Sequence, residues 1–170
     1  MLKRLMNRVR NEDAGFTLIE LMVVVLIIGI LVAIALPTFL GARERAQNRA
    51  AQSDLRNALV AAKTIYTDNS SYSTADASGL NTVEPSLCYV AAGTDSVASG
   101  ATGCIGAGAP TGGASVSVAS ADTEWSAARM SASGTCYWIK DNASGPGTTY
   151  GSGTPCDGTT ADGAADPVFP

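Results

Sequence analysis

The stretch GFTLIELMVVVLIIGILVAIALP, Gly15 to Pro37, decides how the chain is built. From Leu21 to Ala42 there are 22 residues without a charge, and Leu21 to Leu36 is apolar throughout. As a helix such a run covers a bilayer core of about 30 Å. A buried helix of a soluble core is the competing reading. It fails because the rest of this 170-residue chain is too small and too polar to enclose an element that is apolar on every side.

What precedes the run is ordered unlike a common secretory signal. Lys3, Arg4, Arg8 and Arg10 come first, then Glu12, Asp13, Ala14 and Gly15, and no small-residue cleavage site follows the apolar residues. Removal of a leader would therefore fall before the helix. Positive charge leaves the orientation undecided, since Arg43, Arg45, Arg49 and Arg56 on the far side balance the four leading basic residues.

The cysteines break that tie. Cys88, Cys104, Cys136 and Cys156 are an even set, no two stand two residues apart, and the chain has no histidine to complete a mixed zinc site. Disulfides are expected, which need an oxidising compartment and so put residues beyond 42 outside the cytoplasm. Of three connectivities, Cys88 with Cys104 and Cys136 with Cys156 closes the shortest loops.

Glu20 stands at the edge of the apolar run, where an ionised carboxylate in lipid is costly and wants a partner. It could mark the headgroup boundary. It could instead meet another chain: if the bond after Gly15 is cut, the new amino group of Phe16 lies in the same apolar layer, and an axially shifted neighbour can offer Glu20 to it.

Gly15 to Pro37 resembles the class III leader and N-terminal helix of type IV pilins. The run from Arg43 to Tyr72, ending KTIYTDNSSY, is similar to the helix exit of type IVa major pilins. The resemblance implies cleavage between Gly15 and Phe16 by a prepilin peptidase, N-methylation of Phe16, and assembly contacts through Phe16, Thr17 and Glu20. It implies a homo-polymer served by a pilus assembly platform and ATPase, held in the inner membrane beforehand and extracellular afterwards. A major pilin of a filament for adhesion, motility or surface contact is the leading expectation. A minor pilin or type II secretion pseudopilin is the alternative.

The expected fold is α+β, a long N-terminal helix packed on a small antiparallel sheet. Residues 1–15 form the leader, 16–68 the helix (16–42 spanning, 43–68 amphipathic) and 69–170 a disulfide-bonded head. Ala51, Leu55, Leu59, Ala62 and Tyr66 recur at helical spacing and mark the face that meets the head. Arg45, Arg49, Gln52, Arg56 and Lys63 mark a largely opposite basic face, solvated or set against acidic neighbouring heads. Gly29, Pro37 and Gly41 are weak points of the helix, and a kink is expected near Pro37. In the pilin family the matching stretch can lose order in the fibre.

Leu87–Ala92, Ser115–Ala119, Glu124–Met130 and Cys136–Lys140 read as four strands, with 69–82, 100–113 and 145–153 as loops and a weakly anchored tail from Asp157. Trp125, Tyr137 and Trp138 read as sheet core and rim. Beyond Lys63 two basic residues face ten acidic ones, which opposes a nucleic-acid footprint in the head. No cofactor or metal is expected: Asp157 to Asp166 lacks alternating oxygen ligands and a closing glutamate. Without a histidine, a phosphate loop, or a nucleophile beside a base, the chain does not read as an enzyme.

Overall fold

A computed structural model describes residues 15–106, 108 and 112–170, the side chain of Asp162 excepted. The expected leader, residues 1–15, lies outside the described residues apart from Gly15. The chain divides into two compact units between Ala42 and Arg43. Helix α1, Leu18–Asn69, supplies residues to both.

In the first unit every residue from Gly15 to Leu40 is exposed, and α1 is long and apolar enough to cross a membrane. The helix starts two residues later than Phe16 because Thr17 is its cap. It continues as α-helix through Gly29, Pro37 and Gly41, with the Thr38 hydroxyl donating to the Ala35 carbonyl at 2.8 Å.

In the second unit α1 buries Ala51, Leu55, Ala58, Leu59, Ala61, Ala62 and Ile65, the stripe expected from the spacing widened by alanines that let a sheet approach closely. The helix ends at Ser70, whose φ of 54° is left-handed and whose N–H donates to Tyr66 O at 2.7 Å.

The head holds α2 (Ala77–Val83), β1 (Cys88–Ala91), β2 (Ser115–Ser120), β3 (Glu124–Met130), β4 (Cys136–Asn142), β5 (Gly147–Ser152) and a 3-10 turn, Gly158–Gly163. The strands form one sheet in the order β1-β2-β3-β4-β5. Ala127 lies opposite Val118 on one side and Ile139 on the other, which puts alternate residues Val116, Val118, Trp125, Ala127, Tyr137 and Ile139 in the core with α1. The intervening Ala128, Met130, Cys136 and Trp138 pack instead with Cys156. β3 is thus buried on both faces at its centre, which explains its weak alternation in sequence.

Several expectations of the head are corrected. There are five strands, and β1 pairs parallel with β2 while the other pairs are antiparallel. β5 occupies a stretch expected to be loop: its glycine and serine content hides Thr148, Thr149 and Tyr150, which pair with the edge of β4 in continuous register. α2 begins within the expected 69–82 connection and ends one residue past it, because Asp76 caps it by accepting from the N–H groups of Ser78 and Gly79.

The tail is anchored. Asp157 accepts from the N–H of Gly93 and of Thr159, and Phe169 packs on Tyr137 and Tyr150. Gly158 permits a close approach, since a Cβ there would stand 2.8 Å from Ala119 N and from Val118 C.

Candidate assembly surface

Thr17 and Glu20 are three residues apart, so one helical turn brings their side chains together. The N–H of Thr17 donates to Glu20 Oε2 at 2.9 Å and its hydroxyl donates to the same oxygen at 2.8 Å, while Glu20 N–H donates to Thr17 Oγ1 at 3.3 Å. This is a reciprocal capping box, which satisfies the first N–H groups of the helix and aims the carboxylate at the helix start. Oε1 receives no hydrogen bond among the described residues, so half of the carboxylate's accepting capacity is open. Phe16, directly before the box, is 85% exposed.

From Leu18 to Leu40 the side chains present largely aliphatic surface on every side of the helix, none of it buried among the described residues. Such a surface is stable only against lipid or against other helices. The sequence-derived residues Gly15, Phe16, Thr17 and Glu20 therefore gather at one helix end, whereas Gly29, Pro37 and Gly41 are spread along its length.

The head carries no comparable apolar surface among the described residues, and its polar contacts are structural. Cys88 is bonded to Cys104 and Cys136 to Cys156. The first bond sits beside β1, where Ile105 N–H donates to Tyr89 O and covers the sheet edge. The second ties β4 to the segment leading into the 3-10 turn.

Long-range contacts that sequence reasoning missed join α1 to the sheet. Arg129 Nε lies 2.6 Å from Asp54 Oδ2, and the hydroxyls of Ser131 and Ser133 donate to Asn48 Oδ1. Buried Asp141 accepts from the Tyr72 hydroxyl at 2.5 Å and from the Thr148 hydroxyl, with Lys63 Nζ at 3.0 Å. Burial pushes the Asp141 carboxyl up, but the bonds from Thr148, Tyr72 and Lys63 outweigh it and hold the group below the usual carboxylate range. Burial and the adjacent Asp141 raise the Tyr72 phenol.

Two residues of the expected basic face are thereby engaged within the chain. Lys63 pairs with Asp141, and the Arg56 guanidinium lies 5.0 Å from the centre of the Phe169 ring. No local signal announces these pairings, because the partners are 78 and 113 residues away.

Comparison with known sequences bears on the same helix end. The family described as the prokaryotic N-terminal methylation motif matches residues 10–36. Over its N-terminal segment the chain is similar to type IV pilins and to type II secretion core proteins. The chain is 42% identical over 67 residues to the type IV major pilin protein PilA of Myxococcus xanthus, covering 39% of this chain and 30% of that one. It is 43% identical over 58 residues to the type IV wide pilus major component PilA4 of Thermus thermophilus, covering 34% and 44% respectively. It is also 45% identical over 74 residues to the type II secretion system core protein G of Vibrio cholerae, covering 42% and 48%. The chain spans less than half the length of each of these relatives, and none of the three names denotes an enzyme. No solved structure matches it.

Proposed function

We propose that this chain is a structural subunit, a major type IV pilin, made as a precursor and polymerised through α1. The observation that carries the reading is the exposed apolar stretch of α1 up to Leu40, headed by a carboxylate with one open oxygen. Cleavage after Gly15 would free an amino group on Phe16, one residue before the capping box. N-methylation there keeps the cation while Oε1 of a neighbouring Glu20 is free to accept from it. Two charges that are costly apart in an apolar layer then offset one another.

In this reading the peptidase, platform and ATPase are the partners, and the chain itself performs no chemistry. The head lies outside the inner membrane before assembly and on the extracellular filament afterwards, in agreement with two disulfides. Similarity to a type II secretion core protein supports a second reading, a pseudopilin of a shorter envelope filament. Long extracellular fibres composed mainly of this chain would select the first.

Mass spectrometry of the assembled subunit tests the core of the proposal: a mature chain beginning at methylated Phe16 is expected. Glu20→Ala should yield a processed, membrane-held subunit with fibre yield down at least tenfold, and normal fibres from that variant would refute the pairing. In the polymer, Gly29 to Gly41 should lose helical order around Pro37, although the single chain keeps it. Strong hydrogen-exchange protection of that segment in filaments counts against this.

A further inference from the structure

Charge is segregated along the head part of α1 in a way that one copy cannot use. Arg43, Arg45 and Arg49 are exposed and make no ion pair among the described residues, with Glu44 the single opposing charge between them. Arg56 and Lys63, the next cations along the helix, are already taken by Phe169 and Asp141.

At the other end stand Asp68, in the last turn of α1, and Asp122. The carbonyl of Asp122 accepts from Tyr72 N–H at 2.9 Å and its carboxylate lies 3.4 Å from the Ser71 hydroxyl, which fixes it at the helix terminus. Both are exposed and neither has an ion-pair partner among the described residues. The helix macrodipole adds negative potential at this end. Of the other carboxylates in this unit, Asp54 is committed to Arg129, Glu124 to Lys140 and Asp76 to the cap of α2, while Asp95 and Asp166 are also exposed but stand in other segments than the α1 terminus.

Twenty-three residues separate Arg45 from Asp68, about 35 Å along a helix. Within one rigid rod these groups never meet. In a parallel copy displaced by about that length they do, and the contact is head-to-tail, so repetition generates an open filament rather than a closed dimer.

We infer that the exposed face bearing Arg43, Arg45 and Arg49 docks on the Asp68 and Asp122 end of a second copy of this chain, setting the axial stagger between heads. The inference rests on the assembly reading and adds to it a second contact, distinct from the Glu20 pairing. Single exposed pairs are weak and screened by salt, but the contact recurs at every subunit.

The test uses the full chain in cells that assemble it. Arg45→Glu with Arg49→Glu should lower filament yield at least tenfold, and Asp68→Arg with Asp122→Arg should do the same. The combination of all four changes should recover yield to within about threefold of wild type, which excludes misfolding as the cause of the losses. The described residues hold no free cysteine. Coexpressed single variants Arg45→Cys and Asp68→Cys should therefore form a covalent dimer between copies in the filament. Charge reversals without effect, or a fourfold variant no better than the worse pair, overturn the contact while leaving the polymer reading intact. A wild-type chain that forms no polymer overturns both.

Discussion

Removing the carboxylate of Asp141 should destabilise the head more than removing any of the groups that contact it. Asp141 is 4% exposed and Tyr72 2%, so Asp141→Ala leaves a buried phenol without its acceptor and deprives the Thr148 hydroxyl of the same group. A hydrogen bond to a charged acceptor is worth about 1.5–3 kcal/mol, and orphaning the buried donor adds its desolvation, giving about 3–4 kcal/mol for this variant. Tyr72→Phe, which removes one donor and leaves Asp141 with Thr148 and Lys63, should cost about 2 kcal/mol. The Lys63 side chain is 49% exposed, so Lys63→Ala should cost at most about 1 kcal/mol.

Guanidinium unfolding of the full chain in mild detergent with disulfides intact, followed by fluorescence of fully buried Trp125, would rank the three. The pH dependence is a second reading of the same network. The folded Asp141 carboxyl titrates below its unfolded value, so its stabilisation is present above about pH 4 and is lost as pH falls through the lower folded value. The phenol of Tyr72 is raised, so its contribution holds below about pH 10 and is lost as pH rises further. An Asp141→Ala variant within about 1 kcal/mol of wild type, or a Lys63→Ala loss as large as the Asp141 loss, would refute this account of how the helix is held to the sheet.

Two further outcomes follow from packing. Leu55, fully buried between α1 and the sheet, should cost about 2–5 kcal/mol on change to alanine, measured by the same unfolding assay. Gly158→Ala should destabilise by about 1–3 kcal/mol, because its Cβ would press on the backbone of β2 rather than on a movable side chain; an unchanged midpoint would show that the tail shifts freely.

The membrane-length helix and the face carrying Ala51, Leu55, Leu59 and Ala62 are read directly from the amino-acid sequence, whereas the capping box of Thr17 with Glu20 came only from the structure, although its residues stand one turn apart. The first two are local properties: an unbroken apolar run and a 3.6-residue period. The two cysteine bonds agree with the shortest-loop choice for the same reason, since chain entropy favours neighbours. Tertiary structure alone decided the rest of the head. Gly147–Ser152 becomes a strand only because β4 offers it an edge, β1 pairs parallel with β2 rather than as a hairpin, and the tail is held by Asp157 and Phe169. Likewise Lys63 and Arg56 read as solvated charges until partners far along the chain come within reach. Periodicity records what a residue's neighbours in sequence require, whereas these contacts depend on groups that only folding brings together.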